Sequence, residues 1–221
     1  MQKFDTTAPI AAVLDIPAGR IRFIAADRAD TVVEVLPADA GKGRDVKAAE
    51  QTAVEYRDGV LRIEAPERNQ VLGASGSVEV TVRLPAGSRI EAKAASAELR
   101  GEGRLGDVLL ELSHGSVALD EAASARVTLL AGDVSVGRLG GPAEIGTRKG
   151  DIRIAEAVRG TVTLRTDSGE IAVGAAQGAC ASLDAGTSYG RIHNALRNTG
   201  GAADLVIHAT TAYGDITARS L

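Results

Sequence analysis

Along most of this chain apolar and polar residues alternate with a period of two, the pattern of strands that bury one face. In the C-terminal half the alternation is broken six times by the same short phrase. It appears as LSHGSVAL around Gly115, LLAGDVSV around Gly132, TRKGDIRI around Gly150, TDSGEIAV around Gly169, TSYGRIHN around Gly190 and TAYGDITA around Gly214. Successive glycines are 17, 18, 19, 21 and 24 residues apart. A turn flanked by short strands at that interval predicts a solenoid, because one such unit buries its apolar face only by stacking on the next.

Aligning the six phrases on their glycines exposes columns. Two residues after the glycine stand Val117, Val134, Ile152, Ile171, Ile192 and Ile216, all β-branched. Four after come Leu119, Val136, Ile154 and Val173, decaying to Asn194 and Ala218. Five before come Leu110, Val127, Ile145, Leu164, Ala185 and Ala209. Three before, Leu112 and Leu129 give way to Thr147, Thr166, Thr187 and Thr211. A degenerate earlier copy, AASAELR, puts Ala97 in the glycine slot and Leu99 two residues on. Equivalent residues of stacked parallel rungs lie one strand spacing apart, roughly 4.8 Å, so identical side chains pack as ladders. An antiparallel sandwich gives no reason for such columns.

Before Pro85 the elements are less regular. VLDIP (13–17), GRIRFIA (19–25) and TVVEVLP (31–37) predict strands, as does VEVTVRLP (78–85). Residues 38–44 form a polar loop, and DVKAAE (45–50) predicts a short helix with Asp45 as its N-cap. Asp58-Gly59 between TAVEY and VLRIEA signals a hairpin, and residues 67–76 a loop. The expected architecture is therefore all-β. A single-stranded parallel β-helix-like solenoid of about six to seven short rungs occupies 86–221, and an irregular β-rich portion with one short helix occupies 1–85.

Aromatic residues make up 2% of the 221 and tryptophan is absent, so the core is aliphatic, which suits two closely spaced walls. The net charge of −4 gives no electrostatic reason to expect nucleic acid. Cys180 is the only cysteine, which excludes an intramolecular disulfide and a cysteine-based zinc site. No run of eighteen apolar residues occurs and the first residues lack an apolar signal-peptide core, so the expected location is cytoplasmic, without a membrane span.

The iterated phrase T-x-x-G-[DE]-[IV]-x-[IV], following VTVRLPAGSRIEA, resembles a large bacterial family of β-strand-repeat proteins of unknown function called "putative adhesin" or toastrack domains. The resemblance runs from GRIRFIAADRADTVVEV to TAYGDITARSL. It implies a β-helix-like fold and an interaction platform, in some relatives attached to envelope-stress or membrane-signalling systems, and it carries over no catalytic residue.

Candidate chemistry is sparse. The residue after each glycine forms a column, and in it Asp133, Asp151 and Glu170 stand in consecutive phrases. Neighbouring charges one strand spacing apart repel by roughly 0.9 kcal/mol even in water, and a bound cation would relieve that. Short carboxylates at a turn also accept hydrogen bonds from backbone N–H groups, and the nonapeptide calcium-binding motif is absent. That second explanation is preferred, so no metal and no cofactor are expected. Gly101-x-Gly103-x-x-Gly106 matches a dinucleotide fingerprint in letters, but the required helix is not predicted after it. The three histidines fall in different repeats, and no nucleophile–base pairing can be argued.

Tyr189 and Tyr213 occupy the same slot before the corner glycine and should stack side by side, covering the last rungs or making a contact surface. Sequence order makes the Gly214 phrase the last rung, with Asp215 and Thr217 on it. Its unpaired edge predicts β-augmentation or a homo-oligomer through the C-terminal rung. The expected function is a non-catalytic protein-interaction scaffold, with binding of cell-envelope polysaccharide as the alternative and a β-helix carbohydrate-active enzyme a distant third.

Overall fold

A computed structural model describes residues 1–65, 76–197 and 202–221. The loop expected over 67–76 lies outside the described residues, save Gly76. Sixteen strands and one helix are present among the described residues, and the chain forms two compact units, Met1–Gly115 and Ser116–Leu221. The all-β solenoid expectation holds.

In the first unit the parallel stacking begins earlier than Pro85. Strand β2 (Ala11–Ala26) is already a rung. On one side it pairs in parallel with the start of β7 (Arg89–Ala131), Gly19 against Ala97 and Ile21 against Leu99. This puts Ala97 in the corner column, as the degenerate copy suggested. On its other side β2 pairs in parallel with β5 (Val60–Glu64) and β6 (Val78–Pro85). Beyond these the direction reverses. β3 (Asp30–Pro37) is antiparallel to β6, β1 (Gln2–Asp5) is antiparallel to β3, and β4 (Ala53–Arg57) is antiparallel to β5. The β4–β5 turn is Asp58-Gly59, both at positive φ (51° and 78°), as a two-residue hairpin demands.

Helix α1 (Gly43–Gln51) packs on β3 and β6. It starts two residues before the sequence expectation, with Lys42 and not Asp45 at the N-cap. Asp45 sits in the first turn, buried, and accepts a hydrogen bond from the Ser77 N–H at 3.0 Å. Tying the helix to β6 outweighs local capping there.

β7 is 43 residues long but is a run of rung segments, because its partners change along it. Within the second unit, Val117–Ala122 pairs with β8 (Val134–Leu139) and Ala125–Ala131 with β9 (Ala143–Lys149). β8 then pairs with β10 (Ile152–Ala157), and β9 with β11 (Gly160–Ser168). β10 pairs with β12 (Ile171–Ala175). All of these ladders are parallel, and the aligned columns are real: Val117, Val134, Ile152 and Ile171 are in register and each 1% exposed.

After β12 the stack leaves sequence order. The remaining strands are β13 (Ala181–Tyr189), β14 (Ile192–Ala195), β15 (Leu205–Tyr213) and β16 (Ile216–Ser220). β15 lies between β11 and β13, and β16 lies between β12 and β14. The Gly214 rung is thus inserted beneath the Gly190 rung. Core composition supplies the reason. β15 and β16 bring Leu205, Ile207, Ala209, Ile216 and Ala218, all buried, whereas Asn194 of β14 occupies a core column with an amide. Burying that amide would cost more than placing it at an end, where it stays hydrated.

Candidate interaction site at the corners and the open rung

The corner phrase T-x-x-G-D is a set of contacts between rungs. Thr166 is buried, and its hydroxyl donates to the Gly150 carbonyl of the preceding rung at 3.1 Å. Thr211 donates likewise to Gly169 at 3.1 Å, and Thr187 to Gly214 at 3.0 Å. The threonine column therefore replaces leucine without leaving a hydroxyl unpaired. The same carbonyls explain the glycines. At Gly150, φ is 141° and a Cβ would fall 2.0 Å from the Gly132 carbonyl oxygen, so no larger residue fits.

The acidic column completes the corner. Asp133 Oδ1 accepts from the Asp151 N–H at 2.9 Å, and Asp151 Oδ1 accepts from the Glu170 N–H at 2.8 Å. Each short carboxylate satisfies the backbone of the next rung, the hydrogen-bonding explanation preferred on sequence grounds. Among the described residues no cluster of three or more metal-ligating side chains forms. In the last pair of rungs Asp215 plays this part for Arg191, taking its N–H at 2.8 Å and its guanidinium at 3.0 Å. The backbone hydrogen bond first, then the guanidinium, hold the Asp215 carboxyl below its usual value.

Tyr189 and Tyr213 stack as the shared slot suggested, with ring centroids 4.9 Å apart and planes 4° from parallel. They are 68% and 58% exposed. Thr217 is placed differently from the sequence expectation. It lies in register with Ala172 on one side and His193 on the other, so the C-terminal rung offers no free edge. The physical reason is the inserted order: the Gly190 rung covers it.

Among the described residues the open edge lies along residues 182–189 of β13 and along β14. Among the described residues β13 pairs only with β15, and β14 only with β16. Ile192 is 46% exposed although its register partner Ile216 is 1% exposed. Leu183 and Ala185 are half-buried beside fully buried Ile207 and Ala209. His208 reaches across to Asp184 at 3.2 Å and helps to clip the outer rung down. Sequence reasoning missed this edge, but a signal was present: Asn194 is the polar member of an otherwise apolar column. The edge strands of the first unit differ. β1 carries Lys3 and Asp5, and β4 carries Glu55 and Arg57, charges that discourage edge pairing. β14 reads IHNA and has none.

A protein-family model, Toastrack DUF4097, matches residues 18–219. The chain belongs to this family. Among solved structures this toastrack protein is similar to a "putative adhesin" from Bacteroides fragilis, at 13% identity and a TM-score of 0.58, covering 98% of this chain and 95% of that one. It also aligns with a "putative lipid binding protein" from Parabacteroides distasonis, at 12% identity and a TM-score of 0.44, over 98% and 95% of the two chains. At 13% identity the likeness to the first of these concerns the fold alone. No curated protein sequence matches the chain. No helix among the described residues is long and apolar enough to cross a membrane.

Proposed function

We propose that this toastrack protein is a non-catalytic interaction scaffold whose docking surface is the open rung edge of β13 and β14. The observation that carries the reading is the contrast between Ile192 and Ile216. They are the same residue type in the same column, yet one is 46% exposed and the other 1%. A rung that ends a stack with its backbone edge unpaired and its core row half open is suited to strand addition by a protein partner. The acids that could have carried chemistry are engaged as acceptors for backbone N–H groups, which supports a structural role for them. In this reading the protein serves envelope-stress or membrane-associated signalling by holding a partner.

Capture from native cell extract, comparing wild type with Ile192→Lys, tests the proposal. A stoichiometric protein partner lost with the lysine supports it, and partners that are indifferent to the lysine overturn it. One observation favours a second reading, binding of cell-envelope polysaccharide: the exposed Tyr189–Tyr213 stack presents a flat aromatic face. Glycan binding abolished by Tyr189→Ala would establish it in place of the first.

A further inference from the structure

Each covered rung of the second unit shows how β14 would be covered. The residue two after the corner glycine donates its N–H to the carbonyl of the residue after the next rung's glycine. Val117 donates to Asp133, Val134 to Asp151, Ile152 to Glu170, Ile171 to Asp215 and Ile216 to Arg191, at 2.9–3.0 Å. Ile192 is the next member of this column, and no described rung follows it. Backbone groups alternate sides along a strand. The N–H and C=O of Ile192 and Asn194 therefore face outward, while those of Arg191 and His193 face β16. Side chains follow their own alternation: Ile192 and Asn194 lie in core columns, and Arg191 and His193 lie on the outer face.

The charge of that outer face reverses at the open rung. Asp133, Asp151, Glu170 and Asp215 fill the column after the glycine in the covered rungs, and Arg191 fills it in the open one. The Arg191 side chain is 89% exposed, with Asp215 beneath it. Arg219, in register with Ala195, and Arg197, just past β14, are exposed and make no ion pair among the described residues. Arginine thus dominates this end of the wall on a chain whose net charge is −4.

We propose that the occupant is an extended acidic segment of a partner protein, added as a strand beside β14 and carrying the pattern acid–apolar–acid. The inference rests on the reading of this edge as a docking strand and names the chemistry of what docks. Outward N–H and C=O groups in alternation call for a polypeptide backbone. The partner residue beside Ile192 continues the core row, so it is apolar. Its two neighbours fall on the outer face beside Arg191 and His193, where carboxylates make favourable cross-strand pairs. The triplet reads the same in both directions, so parallel and antiparallel addition satisfy it equally. Within this chain no two carboxylates stand two residues apart, so a second copy carries no such triplet.

NMR titration of the isotope-labelled full chain with three short peptides tests the proposal. The peptides share threonine flanks and carry Glu-Val-Glu, Lys-Val-Lys or Glu-Pro-Glu at the centre. Glu-Val-Glu should shift the amide signals of Ile192 and Asn194 and slow their exchange with solvent. Lys-Val-Lys should bind at least about tenfold more weakly. Glu-Pro-Glu has the charges without a strand and should not bind. Arg191→Glu should reverse the preference between the first two peptides, and Asn194→Pro, which removes an outward N–H, should abolish binding of both. Thermal melts check that each variant is folded. Where Arg191→Glu is not, Arg219→Glu makes the same test without disturbing an ion pair. Lysine and glutamate peptides that bind the edge equally, both lost in Asn194→Pro, overturn the acidic occupant and leave the docking-strand reading standing. A proline peptide that binds as well as Glu-Val-Glu overturns strand addition in favour of charge alone. Silence from all three peptides overturns the proposal and removes strand addition at β14 with it.

Discussion

The Thr166 hydroxyl and the Gly150 carbonyl, sixteen residues apart in sequence, meet at 3.1 Å across the boundary between two rungs. The bond explains why a hydroxyl-bearing residue occupies a buried column. It also makes Thr166→Val a clean probe, since valine keeps the β-branched shape and removes only the donor. Loss of one such bond should cost about 1 kcal/mol. The melting midpoint should fall by about 3 °C for a chain of this size. An unchanged midpoint would mean that the threonine column is kept for shape alone.

Gly150→Ala should do far more damage than its one carbon suggests. The added Cβ would lie 2.0 Å from the Gly132 carbonyl oxygen, and the backbone there sits at a φ of 141°. Both the clash and the strain must be relieved by opening the corner, at a cost of about 3 kcal/mol or more. Urea denaturation reads this directly, and a loss under about 1 kcal/mol would show that neighbouring rungs slide apart easily.

Asp151→Asn keeps an oxygen that can accept the Glu170 N–H, whereas Asp151→Ala removes it. The asparagine variant should stay near wild type and the alanine variant should lose about 1 kcal/mol. Millimolar calcium should leave all three melting curves in place. A calcium-dependent rise for wild type that disappears in Asp133→Asn would instead give the acidic column a cation.

Asp215 sets an acid limit on the outer rung. Its carboxyl titrates below the usual value because it accepts the Arg191 N–H and lies beside the guanidinium. A depressed folded-state value means that its contribution is fully present above the unfolded carboxylate value, near 3.9, and is lost as pH falls through the folded one. The amide proton of Arg191, followed by NMR from pH 6 to pH 2, should therefore shift with a midpoint below that of an unperturbed aspartate. In Asp215→Asn the transition should vanish. A midpoint at the ordinary value would mean that the bond is not held in solution.

Much of this architecture was legible in the letters. The columns from Val117 to Ile171 predicted in-register parallel ladders, and those ladders exist. The shared slot of Tyr189 and Tyr213 predicted their stack. What spacing could not supply was the order of the rungs. Periodicity says that units stack but not which neighbours they choose, and the choice fell on burial. The aliphatic residues of β15 and β16 went inside, and Asn194 went to the edge. Sequence order alone therefore points to Thr217 for the free edge, where the register closes it. β2 was also hard to recognise as a rung, because its parallel partners β5 and β6 come from distant and irregular sequence.

The inserted Gly214 rung has a consequence for biosynthesis. Translation delivers β13 and β14 before β15 and β16, yet their places in the stack lie beyond strands that do not exist when they emerge. Within the second unit a nascent chain can therefore build its ladder in the direction of synthesis as far as β12 and then must wait. Segment 181–195 either idles unpaired or occupies, for a time, the berth that β15 and β16 will claim. Residues 205–220 act as a keystone, inserted last between the Gly169 rung and the waiting Gly190 segment. Folding of this protein should accordingly show a terminal phase that no earlier fragment can complete.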